Sequence, residues 1–339
     1  MNEQRFGQIL TVVNPGGRHA ALAGAMVDDL REHYGKSRVE VVQSVPNATE
    51  HRDMVQNKIA KMGEGTWMAV CSGDAILGNT LTAVADSEIK RRYGIIGIGA
   101  LACGTKCDGQ RAFLPNTKGW APHEVFERGQ PTPFRTGICT VTPKRMPPLF
   151  TLRYGLYASA ISTPNGAAYA NSKKMREAGG PNWCRDLKIA RYTIEHAQQA
   201  RILRPQGHEV ITGKLTDLIV PNITYMAGRH LRGTTINDCR GTHVFTVPAE
   251  MPTTEKLLRF WEGTLPSHHY PEGFGVEVED EIRLQCDGET AITRVADLSP
   301  NDRKRYGPDD QIIIPASSKL VFQRSAAECY PLTTLHGAA

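Results

Sequence analysis

Two aspartates set in turns of small residues carry the chemistry-bearing carboxylates of this chain: Asp74 in Ser72-Gly73-Asp74-Ala75 and Asp287 in Asp287-Gly288-Glu289. Two further glycine-bearing turns accompany them, Asn14-Pro15-Gly16-Gly17 and Gly104-Thr105-Lys106-Cys107-Asp108. Turns of small residues let backbone N–H groups approach an anion, and a helix N-terminus adds a favourable dipole. A carboxylate beside such a phosphate cradle can orient the reacting groups or take the proton of an attacking hydroxyl. One turn of this kind is common. Three in order, followed by an Asp-Gly-Glu motif near the end of the chain, point to phosphate binding and phosphoryl transfer. Each aspartate also has a plainer reading: Asp74 as a helix N-cap, contributing about 1 kcal/mol, and Asp287-Gly288 as a hairpin turn.

The elements needed to position these turns are legible in the apolar pattern. Ile9–Val13, Val39–Val42, Trp67–Cys71 and Gly94–Ile98 read as strands. Helical spacing over Ala21–Tyr34, His51–Met62 and Ile76–Ala85 separates them. That alternation predicts a Rossmann-like parallel sheet covered by helices, over residues 1–137. Ligands then bind at the carboxyl ends of the strands, where all three N-terminal turns fall. From about residue 138 short β-like runs separated by Gly, Pro and Asn predict an antiparallel β-sandwich over 138–310. One helical insertion, about 184–203, interrupts it. A last strand at about 311–325 is expected to return to the first domain. The tail after Ser325 shows no usable pattern.

Bulk composition sets looser bounds. A chain of 339 residues, 40% hydrophobic and 22% charged, is long enough for two globular domains. The net charge of +5 suits an anionic substrate or membrane surface but is as well explained by solvated basic faces. No apolar run is long enough for a transmembrane helix and the N-terminus lacks a signal-peptide core, so a cytoplasmic location is expected. Eight cysteines at irregular spacing, without a CxxC pair, read as free thiols rather than a zinc site. The GxGxxG dinucleotide fingerprint is absent, which disfavours dehydrogenase chemistry. No nucleic-acid partner is expected, and a homodimer is compatible with the sequence.

The ordered motifs resemble those of the diacylglycerol and sphingosine kinase superfamily, over nearly the whole chain. Asn14-Pro15-Gly16-Gly17 resembles the family's Asn-Pro-x-(Ser/Gly)-Gly element. Ser72-Gly73-Asp74-Ala75-Ile76 resembles Gly-Gly-Asp-Gly-Thr, and Gly104 to Asp108 resembles Gly-Thr-Gly-Asn-Asp. Val220-Pro221-Asn222 and Asp287-Gly288-Glu289 match two later motifs. The resemblance implies ATP with Mg²⁺ as phosphoryl donor and a lipid hydroxyl, diacylglycerol- or sphingosine-like, as acceptor at a membrane surface. It implies that Asn14, Gly16, Gly17, Ser72, Gly73, Gly104 and Thr105 hold nucleotide, with Ser44 or Thr49 assisting. Asp74 or Asp287 is then the base, Glu289 supports it, and Asp238 is the nearest match to a metal-binding acid.

Several positions depart from the family pattern. Ala75 replaces a glycine, Asn79 a glutamate, and Lys106-Cys107 stands for Gly-Asn. Gly155 to Ala160 offers only Ser159 where an acidic residue is usual, and Arg240 precedes Gly241 where acids are usual. Magnesium sites rely on carboxylates, so the departures favour a second reading, a relative that binds nucleotide or lipid without transferring phosphate. A soluble-substrate kinase related through the NAD kinases is disfavoured by the missing Asn-Glu motif.

Overall fold

The computed structural model describes residues 6–15, 19–45, 48–104, 106–117, 119–143, 150–170, 175, 182–197, 199–203, 213–232, 241–287 and 312–334. These form two compact units. The first comprises the described residues up to Thr136 and from Ser325 onward, the second those between Gly137 and Arg324.

In the first unit the apolar runs become β1 (Gln8–Val13), β2 (Val39–Gln43), β3 (Thr66–Ser72) and β4 (Gly97–Ala102). Helices α1 (Ala20–Tyr34), α2 (Ala48–Met62), α3 (Asp74–Val84), α4 (Ser87–Tyr93), α5 (Asp108–Phe113) and α6 (Pro122–Arg128) connect and follow them. β1 pairs in parallel with β2 and β3, and β3 with β4. Strands covered on both faces read as continuous apolar runs, and all seven residues of β3 are buried. Parallel register puts the ends of β1, β3 and β4 on one edge, with Val13 opposite Cys71 and Cys71 opposite Leu101.

The fourth strand starts later than the pattern suggested. Gly94, at φ 73°, caps α4, and pairing begins near Gly97. Gly97 and Gly99 are glycines because rings lie on them: an added Cβ would come within 2.7 Å of Trp67 and 2.9 Å of Phe126. Helices α4 to α6 were not anticipated, being too short for a clear apolar period.

Next come β5 (Gln130–Pro131), β6 (Phe134–Pro143), β7 (Phe150–Tyr154) and β8 (Tyr157–Ile161), then α7 (Thr163–Ala170) and α8 (Asn182–Glu195). β9 (Ala200–Leu203), β10 (Gly213–Pro221), β11 (Tyr225–Met226), β12 (Arg229–His230) and β13 (Thr242–Pro248) follow. After α9 (Thr253–Glu262), the strands β14 (Ser267–Tyr270), β15 (Phe274–Val278), β16 (Ile282–Cys286), β17 (Ile312–Ile314) and β18 (Ser318–Thr333) complete the chain. The recorded pairings within the second unit are antiparallel. Alternate side chains from its strands, among them Val141, Tyr154, Val220, Val276, Leu284 and Phe322, close one apolar core.

The helical insertion ends at Glu195, and residues 200–203, expected within it, form a strand. Ile312–Ile314, expected in the strand that returns to the first unit, pairs instead with β16 in the second. β18 serves both units. Phe322 pairs with Phe274 of β15, whereas Tyr330 and Pro331 pair with Gly97 and Ile98 of β4. The segment reaching the parallel sheet thus lies beyond Ser325, in the tail whose pattern was illegible.

One buried histidine ties α2 to α3 and makes this unit sensitive to acid. His51 is fully buried, its Nε2 lies 3.0 Å from Thr80 Oγ1, and its Nδ1 has no hydrogen-bond partner among the described residues. Burial, with the nearby Arg52 charge, pushes its pKa from 6.5 down to about 4. The folded state therefore resists a proton that the unfolded chain accepts. Stability is complete above pH 6.5 and falls as pH drops toward 4, by on the order of 3 kcal/mol. A His51→Gln variant should flatten the melting-temperature profile across that window. Parallel profiles for the two proteins would rule out His51 as the titrating group.

Candidate functional site

The strand-end loops meet through their backbones. Gly73 precedes α3 and Gly104 follows β4, and they touch directly: a Cβ on Gly104 would lie 2.7 Å from the Gly73 Cα. Gly73 itself has an ordinary extended backbone, φ −83°, ψ 178°. Half-buried Asn14 follows β1, and the Ser44 N–H donates to the Val13 carbonyl at 2.8 Å, so the β1 and β2 loops start side by side. Ser72 is buried and its Oγ has no hydrogen-bond partner among the described residues. Asn14, Ser44, Ser72, Gly73 and Gly104 therefore share one edge of the parallel sheet. Gly16, Gly17 and Thr105 lie outside the described residues.

Asp74 neither caps its own helix nor stands open as a base. Its Oδ1 accepts from the Gly109 N–H at 2.9 Å, and the Asp108 N–H also hydrogen-bonds to it. It therefore caps the start of α5, where Cys107 occupies the cap position without a side-chain cap of its own. Burial pushes the Asp74 carboxyl above the usual carboxylate range, against those two N–H groups and Arg111, which pull it down.

Cys107 adopts the left-handed conformation at φ 51°. Its thiol donates to the Gly104 carbonyl at 3.0 Å and accepts from the Gly104 N–H at 3.2 Å, closing the turn. Burial and the Asp74 charge raise this thiol to about 11, so it is not a ready nucleophile. The Lys106-Cys107 departure thus leaves the turn formed. Ala75 is equally benign, since it lies in the first turn of α3 and needs no positive φ.

In the second unit Asp287 clamps a turn. It ends β16 at φ 56°, a left-handed conformation that Asp tolerates better than most residues. Its Oδ2 accepts from the Gly155 N–H at 2.9 Å, and its Oδ1 from Leu156 at 2.7 Å and Tyr157 at 3.1 Å. The Asp287 N–H returns a bond to the Tyr157 carbonyl at 2.8 Å. Asn222 grips the same turn, donating to the Tyr154 and Gly155 carbonyls and accepting from Arg324. Arg324 also donates to the Gly241 carbonyl at 3.0 Å.

Two late sequence motifs thus converge on the β7–β8 turn. The role of Arg324 was not foreseen, because it carries no local signal, and Gly155 to Ala160 stood out only for the acidic residue it lacks. A third aspartate, Asp217, follows the same pattern. It accepts from the Thr163 N–H at 2.8 Å at the start of α7, and burial raises its pKa to about 7. Its only trace in the sequence is a charge interrupting an apolar strand.

Magnesium fits these side chains poorly. Among the described residues no three His, Cys, Asp or Glu side chains converge on a point. Asp74 and both Asp287 oxygens are already engaged by backbone N–H groups, and Ser159 is buried against Gln285. Asp238 and Glu289, the remaining acidic candidates, lie outside the described residues. The cysteines near the loops, Cys71, Cys103 and Cys107, are free thiols with raised pKa values. Nucleotide phosphates fit better, through the close-packed Gly73 and Gly104 backbones and the start of α3.

No protein-family model matches the chain, and no curated protein matches it in sequence. Solved structures resemble it in fold. A diacylglycerol kinase from Bacillus anthracis strain Sterne is 12% identical with a TM-score of 0.60, covering 96% of this chain and 98% of its own. A second structure from that organism, provisionally described as a diacylglycerol kinase, is 13% identical with a TM-score of 0.58, each chain covered to 95%. A third, described in the same way, is 14% identical with a TM-score of 0.59, covering 94% of this chain and 95% of its own. No described helix is long and apolar enough to cross a membrane. At the level of fold the chain is diacylglycerol kinase-like: a parallel α/β unit and an antiparallel β unit sharing a final strand.

Proposed function

We propose that the protein binds ATP at the β1, β3 and β4 loop ends and transfers its γ-phosphate to a lipid hydroxyl of diacylglycerol or sphingosine type. The observation that carries this reading is the direct Gly73–Gly104 backbone contact on the edge where three phosphate-type loops begin. ATP supplies the phosphoryl group. Asn14 and Ser44 hydrogen-bond the nucleotide, and the Gly73 and Gly104 backbones approach its phosphates. Transfer also requires a carboxylate to take the hydroxyl proton. Because Asp74 and Asp287 both serve backbone N–H groups, we assign the base to Glu289, the third acid that the motif resemblance names. The acceptor places the protein at a membrane surface.

A second reading, nucleotide or lipid binding without transfer, draws support from those same engaged carboxylates. Incubation with radiolabelled ATP, with and without Mg²⁺, and a panel of lipid extracts separates the two. Transfer by the wild type, reduced roughly 10²–10⁴-fold in Glu289→Gln at unchanged melting temperature, is the expected result. Calorimetric ATP binding without transfer would establish the second reading. Absence of adenine-nucleotide binding in folded protein would eliminate both.

A further inference from the structure

Helix α9 is turned the opposite way from an ordinary surface helix. It is the most one-sided of the described helices, and Leu257, Leu258 and Trp261 fall within one stripe about 100° wide. Such a stripe normally faces the core, yet no residue of α9 is buried. Leu258 and Trp261 are 55% and 54% exposed, and Leu257 39%. The opposite, polar side makes the anchoring contacts. Lys256 donates to the Ala249 carbonyl at 3.0 Å and feels the Asp217 charge, while Arg259 bonds Glu255 at 2.8 Å within the helix.

The exposure is not a matter of loose attachment. Gly263, which ends the helix, accepts from the Arg232 N–H at 2.9 Å. It packs so closely on β12 that an added Cβ would lie 1.8 Å from the His230 carbonyl oxygen. The same hairpin supplies positive charge. The Arg229 guanidinium lies over the Trp261 ring, 3.1 Å from its centroid, and the exposed Arg232 follows β12. Glu262 is the exposed acid at the end of the helix.

We propose that α9 is a membrane-docking helix. Leu257, Leu258 and Trp261 enter the interfacial layer of an anionic lipid surface, while Arg229 and Arg232 meet the headgroup phosphates. Three exposed side chains offer on the order of a few hundred Å², well short of the ~800 Å² per partner of a stable protein interface. A lipid surface accepts so small a patch, and Trp and Leu beside Arg are the chemistry it selects. This deepens the lipid-kinase reading by naming the surface that brings the protein to its acceptor, but the test uses no nucleotide. Failure of docking therefore leaves phosphoryl transfer to a dispersed short-chain lipid measurable, and failure of transfer leaves docking measurable.

The test is co-sedimentation of the full-length protein with vesicles of phosphatidylcholine, with and without phosphatidylglycerol. Sedimentation velocity without lipid accompanies it. The wild type should partition preferentially onto the anionic vesicles. The Leu258→Ser/Trp261→Ser protein, with unchanged melting temperature, should partition roughly tenfold less, a loss of ~1.4 kcal/mol. Three results would overturn the proposal: no wild-type binding to anionic vesicles, equal binding by the variant, or a wild-type dimer that the variant dissolves.

Discussion

Replacing Asp287 with Ala should lower the melting temperature by roughly 4–7 °C, whatever it does to turnover. The change leaves the Gly155, Leu156 and Tyr157 N–H groups without their shared acceptor, in a site where Asp287 is 2% exposed. Unsatisfied buried donors cost about 1–3 kcal/mol each, with some relief as the turn relaxes, so a total of roughly 3–5 kcal/mol is expected. At about 2.1 cal/mol/K of unfolding entropy per residue, a chain of 339 residues shifts its midpoint by roughly 1.4 °C per kcal/mol. Asp287→Asn should do less harm, since its carbonyl oxygen can still accept from part of the turn. Differential scanning calorimetry of both variants decides the matter. An Asp287→Ala protein that melts like the wild type but no longer transfers phosphate would return Asp287 to the role of base and refute the clamp.

The second large effect is asymmetric across two glycines that look alike in the sequence. Gly104→Ala places a methyl group 2.7 Å from the Gly73 Cα, backbone against backbone, with no side chain able to swing aside. The loops must part or the strand must shift, at a cost of about 1–3 kcal/mol or more. Gly73→Ala meets its nearest atom at 3.7 Å, in a backbone conformation open to any residue. Its melting temperature should stay within roughly 1 °C of the wild type, while Gly104→Ala falls by several degrees. ATP titration of the Gly104 variant should show weakened binding, because the two backbones displaced are the ones that the proposed function sets against the phosphates. Equal thermal penalties for the two variants would mean that the loops do not touch as described.

The clamps and the docking helix also revise what a motif match means here. Asp74, Asp217 and Asp287 each accept backbone N–H groups from a neighbouring element, the first two at the starts of α5 and α7 and the third at the β7–β8 turn. Residues that match a phosphotransferase motif can therefore serve architecture as well as chemistry. Measuring stability together with turnover is what separates the two.

The sequence by itself determined the parallel sheet, the placement of three loops at its carboxyl edge and the antiparallel character of the strands that follow. These follow from local patterns: buried strands as continuous apolar runs, helices at their own period, turns in glycine. It also singled out Asn222 and Asp287 as motif residues. Only the tertiary structure decided what those residues touch. Asp287 meets Gly155 across 132 positions of sequence and Asn222 meets Arg324 across 102, so no local pattern encodes either bond. Short helices such as α5 escaped because six residues cannot display a 3.6-residue period. The half of the last strand beyond Ser325 escaped because it pairs in a different unit from the first half and alternates for a different core. Helix α9 shows the same division: its apolar stripe is written in the sequence, but which way the stripe faces depends on how Gly263 packs against β12.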